Sequence, residues 1–208
     1  MSAQPMFPLG TALLPGEVLP LRIFEPRYRT MLDDCLAVAD GPPRFGVVLI
    51  ARGSEVGGGD VRHDVGTFAA IDRVSRDPGG LSYVHCVGTR RFRVTEWLPD
   101  DPYPRAEVSV LNEPKTTATA RADSLALGAR IREIVVDAYT RRGTPIPDDL
   151  PSFDDADLDD AGLFGWAARL PIGAADRQSL LEAPDTPARI AILDDAVEGF
   201  AARIAFDS

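Results

Sequence analysis

Several residue types and patterns are scarce in this 208-residue chain, and each scarcity excludes something. Two cysteines, Cys35 and Cys86, are too few for a disulfide framework or a four-cysteine zinc site. Two histidines, His63 and His85, leave little for a metal centre. His85 and Cys86 are neighbours in a strand-like run, so they point to opposite faces and cannot ligate one ion from one side. Lysine is nearly missing: 21 of the 22 basic residues are arginine, and the exception is Lys115. No glycine-lysine pair occurs, so no phosphate loop of the GxxxxGK[ST] type exists. GxSxG and HExxH are also missing. No catalytic residue, metal ligand or cofactor is assigned. The longest apolar run, near Phe45–Ala51, falls far short of the ~20 residues that span a bilayer. No charged head precedes an early apolar run, since the first basic residue is Arg22. The expected location is a reducing cytoplasm, with no membrane partner.

What is present is acidic and ordinary in hydropathy. Apolar residues make up 45% and the net charge is −10, which opposes binding to nucleic acid and favours basic or neutral apolar partners. The charge is uneven. Residues 1–110 carry 12 basic and 14 acidic groups; residues 111–208 carry 10 and 18. Seven aspartates fall within Asp148–Asp160 with no basic residue among them. Their spacing lacks the glycine and terminal glutamate of an EF-hand, so the run is expected to be a solvated loop.

The hydrophobic pattern changes where the charge does. Seven candidate strands come first: Met6–Leu9, Val18–Phe24, Phe45–Ala51, Thr67–Val74, Leu81–Val87, Arg91–Leu98 and Ala106–Leu111. Short strands at this spacing suggest a closed or nearly closed sheet. Pro15-Gly16 suits a type II turn between the first two. One helix interrupts them. Tyr28, Met31, Leu32, Cys35, Leu36 and Ala39 form one apolar stripe behind Pro26. Cys35 in that stripe reads as a small buried hydrophobe. After residue 112 the spacing is helical: Thr119–Arg142, Leu158–Leu170, Ala174–Glu182 and a last helix capped by Asp185 or Thr186. The expected division is a β subdomain over 1–112, a linker over 113–120 and a helical subdomain over 121–208.

Six strings occur in family order. They are FPLGTALLPGEVLPLRIFEPRYRTML (Phe7–Leu32), FGVVLIARGSE (Phe45–Glu55), VGTFAAIDRV (Val65–Val74), VGTRRFRV (Val87–Val94), PYPRAEVSVL (Pro102–Leu111) and RQSLLEAPDTPARIAIL (Arg177–Leu193). Together they resemble the N-terminal, substrate-recruiting domain of Lon proteases over nearly the whole chain. The resemblance implies an α+β fold: a PUA-like β pseudo-barrel with one embedded helix, then a helical bundle. It also implies a non-catalytic protein- or peptide-binding module for exposed apolar or unfolded polypeptide, with a protease or chaperone as companion. Complete Lon continues into an ATPase and a Ser–Lys protease domain, and the hydrolytic residues of those domains have no counterpart in this sequence. A small-ligand pocket or an enzyme of unknown chemistry is the alternative, and nucleic-acid binding through a PUA-like fold is a weaker one.

The expected peptide-binding residues are Phe24, Glu25, Arg27, Tyr28, Arg90, Arg91, Trp97, Tyr103 and Trp166. The groove between barrel and bundle is the expected place for them. Glu25 is also expected to pair with Arg90 or Arg91 and lock the helix to the barrel.

Overall fold

Leu14, Pro15, Gly16 and Glu17 form the type II turn that Pro-Gly predicts. The Glu17 N–H donates to the Leu14 carbonyl at 3.1 Å, and Gly16 has φ +80°. A side chain in that left-handed conformation costs roughly 1–2 kcal/mol. The turn is pinned by Gly88. The Gly16 N–H donates to the Gly88 carbonyl and the Gly88 N–H to the Glu17 carbonyl, both at 2.8 Å. A Cβ on Gly88 would lie 2.2 Å from the Leu14 oxygen, so only glycine allows this approach.

The computed structural model describes residues 3–39, 41–53, 59–113, 115, 117–141, 143–146, 152–154 and 162–206, without the side chains of 203–206. The chain divides into two compact units, residues 1–112 and 113–208.

In the first unit the elements are β1 (Gln4–Leu9), β2 (Val18–Ile23), α1 (Pro26–Ala37), β3 (Arg44–Arg52), β4 (Val61–Arg76), β5 (Ser82–Leu98) and β6 (Arg105–Val110). Strand order is β2-β5-β4-β3-β1-β6, and β6 also pairs with β5. That extra pairing closes five strands into a ring and leaves β2 outside it, bonded only to β5. All pairings are antiparallel except β1–β3, where Met6–Leu9 run parallel to Gly46–Leu49. The unit is therefore a mixed sheet with an embedded helix, as an α+β fold requires.

Alternation along the strands feeds two cores. Phe7, Phe45, Val47 and Cys86 join Tyr28, Met31, Leu32 and Cys35 of α1 in one core. Met6, Val48, Phe68 and Phe92 turn the other way into the second. Each fully buried aliphatic or aromatic side chain contributes about 1.5–3 kcal/mol, so the four buried residues of α1 hold it to the sheet.

The second unit is helical: α2 (Ala118–Arg141), α3 (Leu163–Ala168), α4 (Ala174–Glu182) and α5 (Thr186–Phe206). Asp185 is the cap of α5, accepting from the Ala188 N–H at 2.9 Å. The Thr117 hydroxyl caps α2 by accepting from the Ala120 N–H at 3.1 Å. Trp166 is fully buried, with Phe153 edge-on at 5.9 Å between ring centres.

Some expected elements differ. The fifth and sixth candidate strands are one continuous β5. β4 begins six residues early, at Val61. α2 starts at Ala118, inside the stretch expected to be linker. Of Leu158–Leu170 the helix covers Leu163–Ala168; residues 158–161 lie outside the described residues. So does the Asp148–Asp160 run, apart from Asp154.

Candidate functional site

Two clefts flank β2, and its position outside the ring creates both. The first opens between β1 and β2, which run beside each other without pairing. Its volume is about 210 Å³, and Phe7, Leu9, Leu21, Ile23, Phe24 and Tyr28 supply its apolar wall. Phe24 stands at the end of β2, just before α1. Pro26 in the first turn of α1 restricts Glu25 to an extended backbone (φ −66°, ψ 134°). The chain bends there, and Phe24 stays 58% exposed.

Glu25 and Arg27 fix the entrance. The Arg27 Nε donates to the Glu25 carboxylate at 3.0 Å, and the guanidinium lies 4.5 Å from the centre of the Tyr28 ring. Burial pushes the Tyr28 hydroxyl up to about 12, so it stays protonated. The expected pairing of Glu25 with Arg90 or Arg91 is not found: Glu25 takes Arg27, two residues along, which needs no long-range alignment.

The remaining expected contact residues lie elsewhere. Arg90 and Arg91 sit on β5 past Gly88 and line neither cleft. Arg91 is buried opposite Thr67, while Arg90 is exposed. Trp97 donates its indole N–H to Asp64 at 3.0 Å and lies under the Arg62 guanidinium at 5.0 Å. Arg62 is held by Asp60 at 2.6 Å and Asp100 at 2.5 Å, so this group is a closed ion-pair network. Tyr103 is buried and donates to Asp34 at 2.7 Å, tying the segment before β6 to α1. Burial, then Asp34, pushes the Tyr103 hydroxyl well above its usual range. Trp166, in the helical unit, has no exposed surface and serves its core. The structure thus brings together Phe24, Glu25, Arg27 and Tyr28 of the nine.

The second cleft went unseen in the sequence. It holds about 340 Å³ on the outer face of β2, β5 and β4. The strand register makes two rows of side chains there. Arg22, Tyr83 and Ser75 stand opposite one another, as do Pro20, His85 and Arg73. Tyr83 is 50% exposed. Only the register reveals these rows, because β2 lies far in sequence from the β4–β5 hairpin.

Ser75 and His85 both line the second cleft, but no hydrogen bond joins the hydroxyl to the imidazole. The thiols of Cys35 and Cys86 are both buried and pushed up to about 12 by that burial, which leaves them unreactive. Among the described residues no group of three His, Cys, Asp or Glu is arranged to hold a metal ion. No described helix is long and apolar enough to cross a membrane.

Residues 3–197 match the model of the ATP-dependent protease La (LON) substrate-binding domain. The chain belongs to this family. It is 30% identical over 185 residues to Lon protease 2 of Herpetosiphon aurantiacus, covering 86% of this chain and 21% of that protein. It is 26% identical over 200 residues to the Lon protease of Phenylobacterium zucineum, covering 94% of this chain and 24% of that protein. The LON substrate-binding domain therefore spans a quarter or less of these relatives. Among solved structures, a Lon N-terminal domain protein from Xanthomonas campestris superposes with a TM-score of 0.66 at 26% identity, over 93% of this chain and 97% of the other. The N-terminal domain of Mycobacterium avium complex Lon protease shares the fold, with a TM-score of 0.65 at 22% identity and coverage of 95% and 98%.

Proposed function

We propose that this LON substrate-binding domain recruits polypeptide. It captures exposed apolar segments of unfolded chains and acts without chemistry of its own, in the cytoplasm, beside a protease or chaperone that processes the captured chain. The observation that carries this reading is the apolar cleft between β1 and β2 with the half-open ring of Phe24 at its mouth. An isolated exposed phenylalanine means little, but one beside a preformed apolar recess is an anchor for a client side chain. The PUA-like pseudo-barrel supplies a rigid frame for that recess.

Affinity should be weak, in the tens of micromolar, equivalent to about 6–7 kcal/mol. Weak binding suffices where several contacts in one assembly add through effective concentration. The test is a fluorescence titration with one apolar and one fully polar unstructured peptide, both uncharged. The apolar peptide should bind and the polar one should not. Phe24→Ser should weaken binding at least threefold. Equal signals from the two peptides would defeat the proposal.

A further inference from the structure

The outer-face cleft differs from the first in charge. It is lined by Arg22, Arg73 and His85 and by no acidic residue. Elsewhere in the β unit Arg27 is paired with Glu25, Arg62 with Asp60 and Asp100, and Arg76 with Asp33. Among the described residues neither Arg22 nor Arg73 has a carboxylate within ion-pair distance. Asp72 lies 3.3 Å from the His85 imidazole at the edge of the cleft, and Arg22 also borders the first cleft, where Glu25 stands. The net −10 of the chain does not decide the matter. Residues 1–110, which hold the cleft, are close to balanced, with 12 basic and 14 acidic groups.

The register gives the geometry. Arg22 and Arg73 stand on the two outer strands, two residues out of step, with Tyr83 on β5 between them. Strand spacings of ~4.8 Å and a rise of ~3.4 Å per residue put their backbones roughly 12 Å apart. In an extended chain, residues i−2, i and i+2 project to one side, and i−2 to i+2 spans ~13 Å.

We infer that this cleft selects extended client segments in which one apolar side chain is flanked at i−2 and i+2 by aspartate or glutamate. The apolar residue lies on Tyr83 and Pro20, and the two carboxylates meet Arg22 and Arg73. This rests on the polypeptide-recruiting reading above and adds a client chemistry to it, opposite to what the net charge of the chain suggests.

Four ten-residue peptides with blocked ends test it against the full chain. They share one apolar residue and carry, at i−2 and i+2, two glutamates, two glutamines or two lysines; the fourth carries glutamates at i−1 and i+1. The i±2 glutamate peptide should bind about fivefold tighter than the glutamine one at low salt, and the margin should vanish at 0.5 M salt. The i±1 peptide, whose acids face away, should lose the margin. In R22Q/R73Q, whose side chains are replaced on the surface, the glutamate-to-glutamine ratio should fall to about one. Equal binding of glutamate and glutamine peptides, or preference for lysine, overturns the inference and leaves the recruiting function standing. No binding by any of the four overturns both.

Discussion

In the β unit, most strand backbone groups are taken up by strand pairing, and among the described residues few polar side chains are buried: Thr67, Ser82 and Arg91. The smaller helical unit buries five among its described residues: Ser124, Arg177, Gln178, Thr186 and Arg189. There the partners come from side chains and helix carbonyls. The Ser124 hydroxyl donates to the Ala120 carbonyl at 2.8 Å and Gln178 donates to Glu182 at 2.8 Å. Arg189 reaches Glu113 at 2.5 Å while stacking 4.4 Å from the Phe164 ring. A sheet ladder tolerates a changed side chain because its bonds are main-chain. A core stitched by side chains does not, since removing one partner strands the other. The helical unit should therefore be the more sensitive to single substitutions. Each unit carries one tryptophan, Trp97 and Trp166, so variants that retain one ring can follow one unit.

The largest expected effect is Trp166→Ala. Removing a fully buried indole costs about 3–5 kcal/mol, and helical circular dichroism should fall at a lower denaturant concentration. A loss under ~1 kcal/mol would show that Trp166 is not the centre of that core. Next comes Gly128→Ala in α2. Helix propensity alone would gain about 1 kcal/mol. The new Cβ, however, would sit 2.0 Å from the Phe153 carbonyl oxygen and 2.7 Å from the Trp166 ring. A backbone oxygen cannot swing aside, so a net loss of about 1–2 kcal/mol is expected in chemical denaturation.

Alkali should reverse the comparison. Both thiols and Tyr28 belong to the β unit, and burial raises the thiols from 9.0, and the Tyr28 hydroxyl from 10.0, to about 12. Unfolding lets them ionise at their ordinary values. The stability they contribute is complete below pH 9 and drains away between pH 9 and 12. A Trp166→Phe chain, reporting from Trp97, should show a denaturation midpoint that falls between pH 8.5 and 10.5. A Trp97→Phe chain, reporting from Trp166, should shift less. The smallest effect is Arg76→Ala. Its ion pair with Asp33 is half-exposed at both ends, so the loss should stay below ~1 kcal/mol in the same assay.

Local signals in the sequence carried much of this fold. Proline, aspartate and glycine mark the ends of α4 and α5 and the turn at Gly16, because capping and turn chemistry act within four residues. Gly88 misled for the same reason. It reads as a break between two strands, yet it lies inside β5, where its bare backbone admits the Leu14 carbonyl. The polar Arg62 and His63 disguised the start of β4; the Arg62 charge is absorbed by Asp60 and Asp100 from outside the strand. The candidate site was legible only at Phe24–Tyr28, where the expected contact residues lie close together in sequence. Tyr103 and Trp166 look like exposed anchors until burial is known, and Arg22, Tyr83 and Arg73 become neighbours only through strand register.

The parallel pairing of β1 with β3, and its second pairing with β6, has a consequence for the newborn chain. Residues 4–9 leave the ribosome before their strand partners, the last of which lies at residues 105–106. At about 5–20 residues per second, synthesis of the intervening stretch takes roughly 5–20 s. During that interval Met6 and Phe7, later buried on opposite faces of β1, have no completed ring to enter. A domain proposed to recruit exposed apolar segments thus begins its own existence as one, and its closure ends the period in which its finished siblings can bind it.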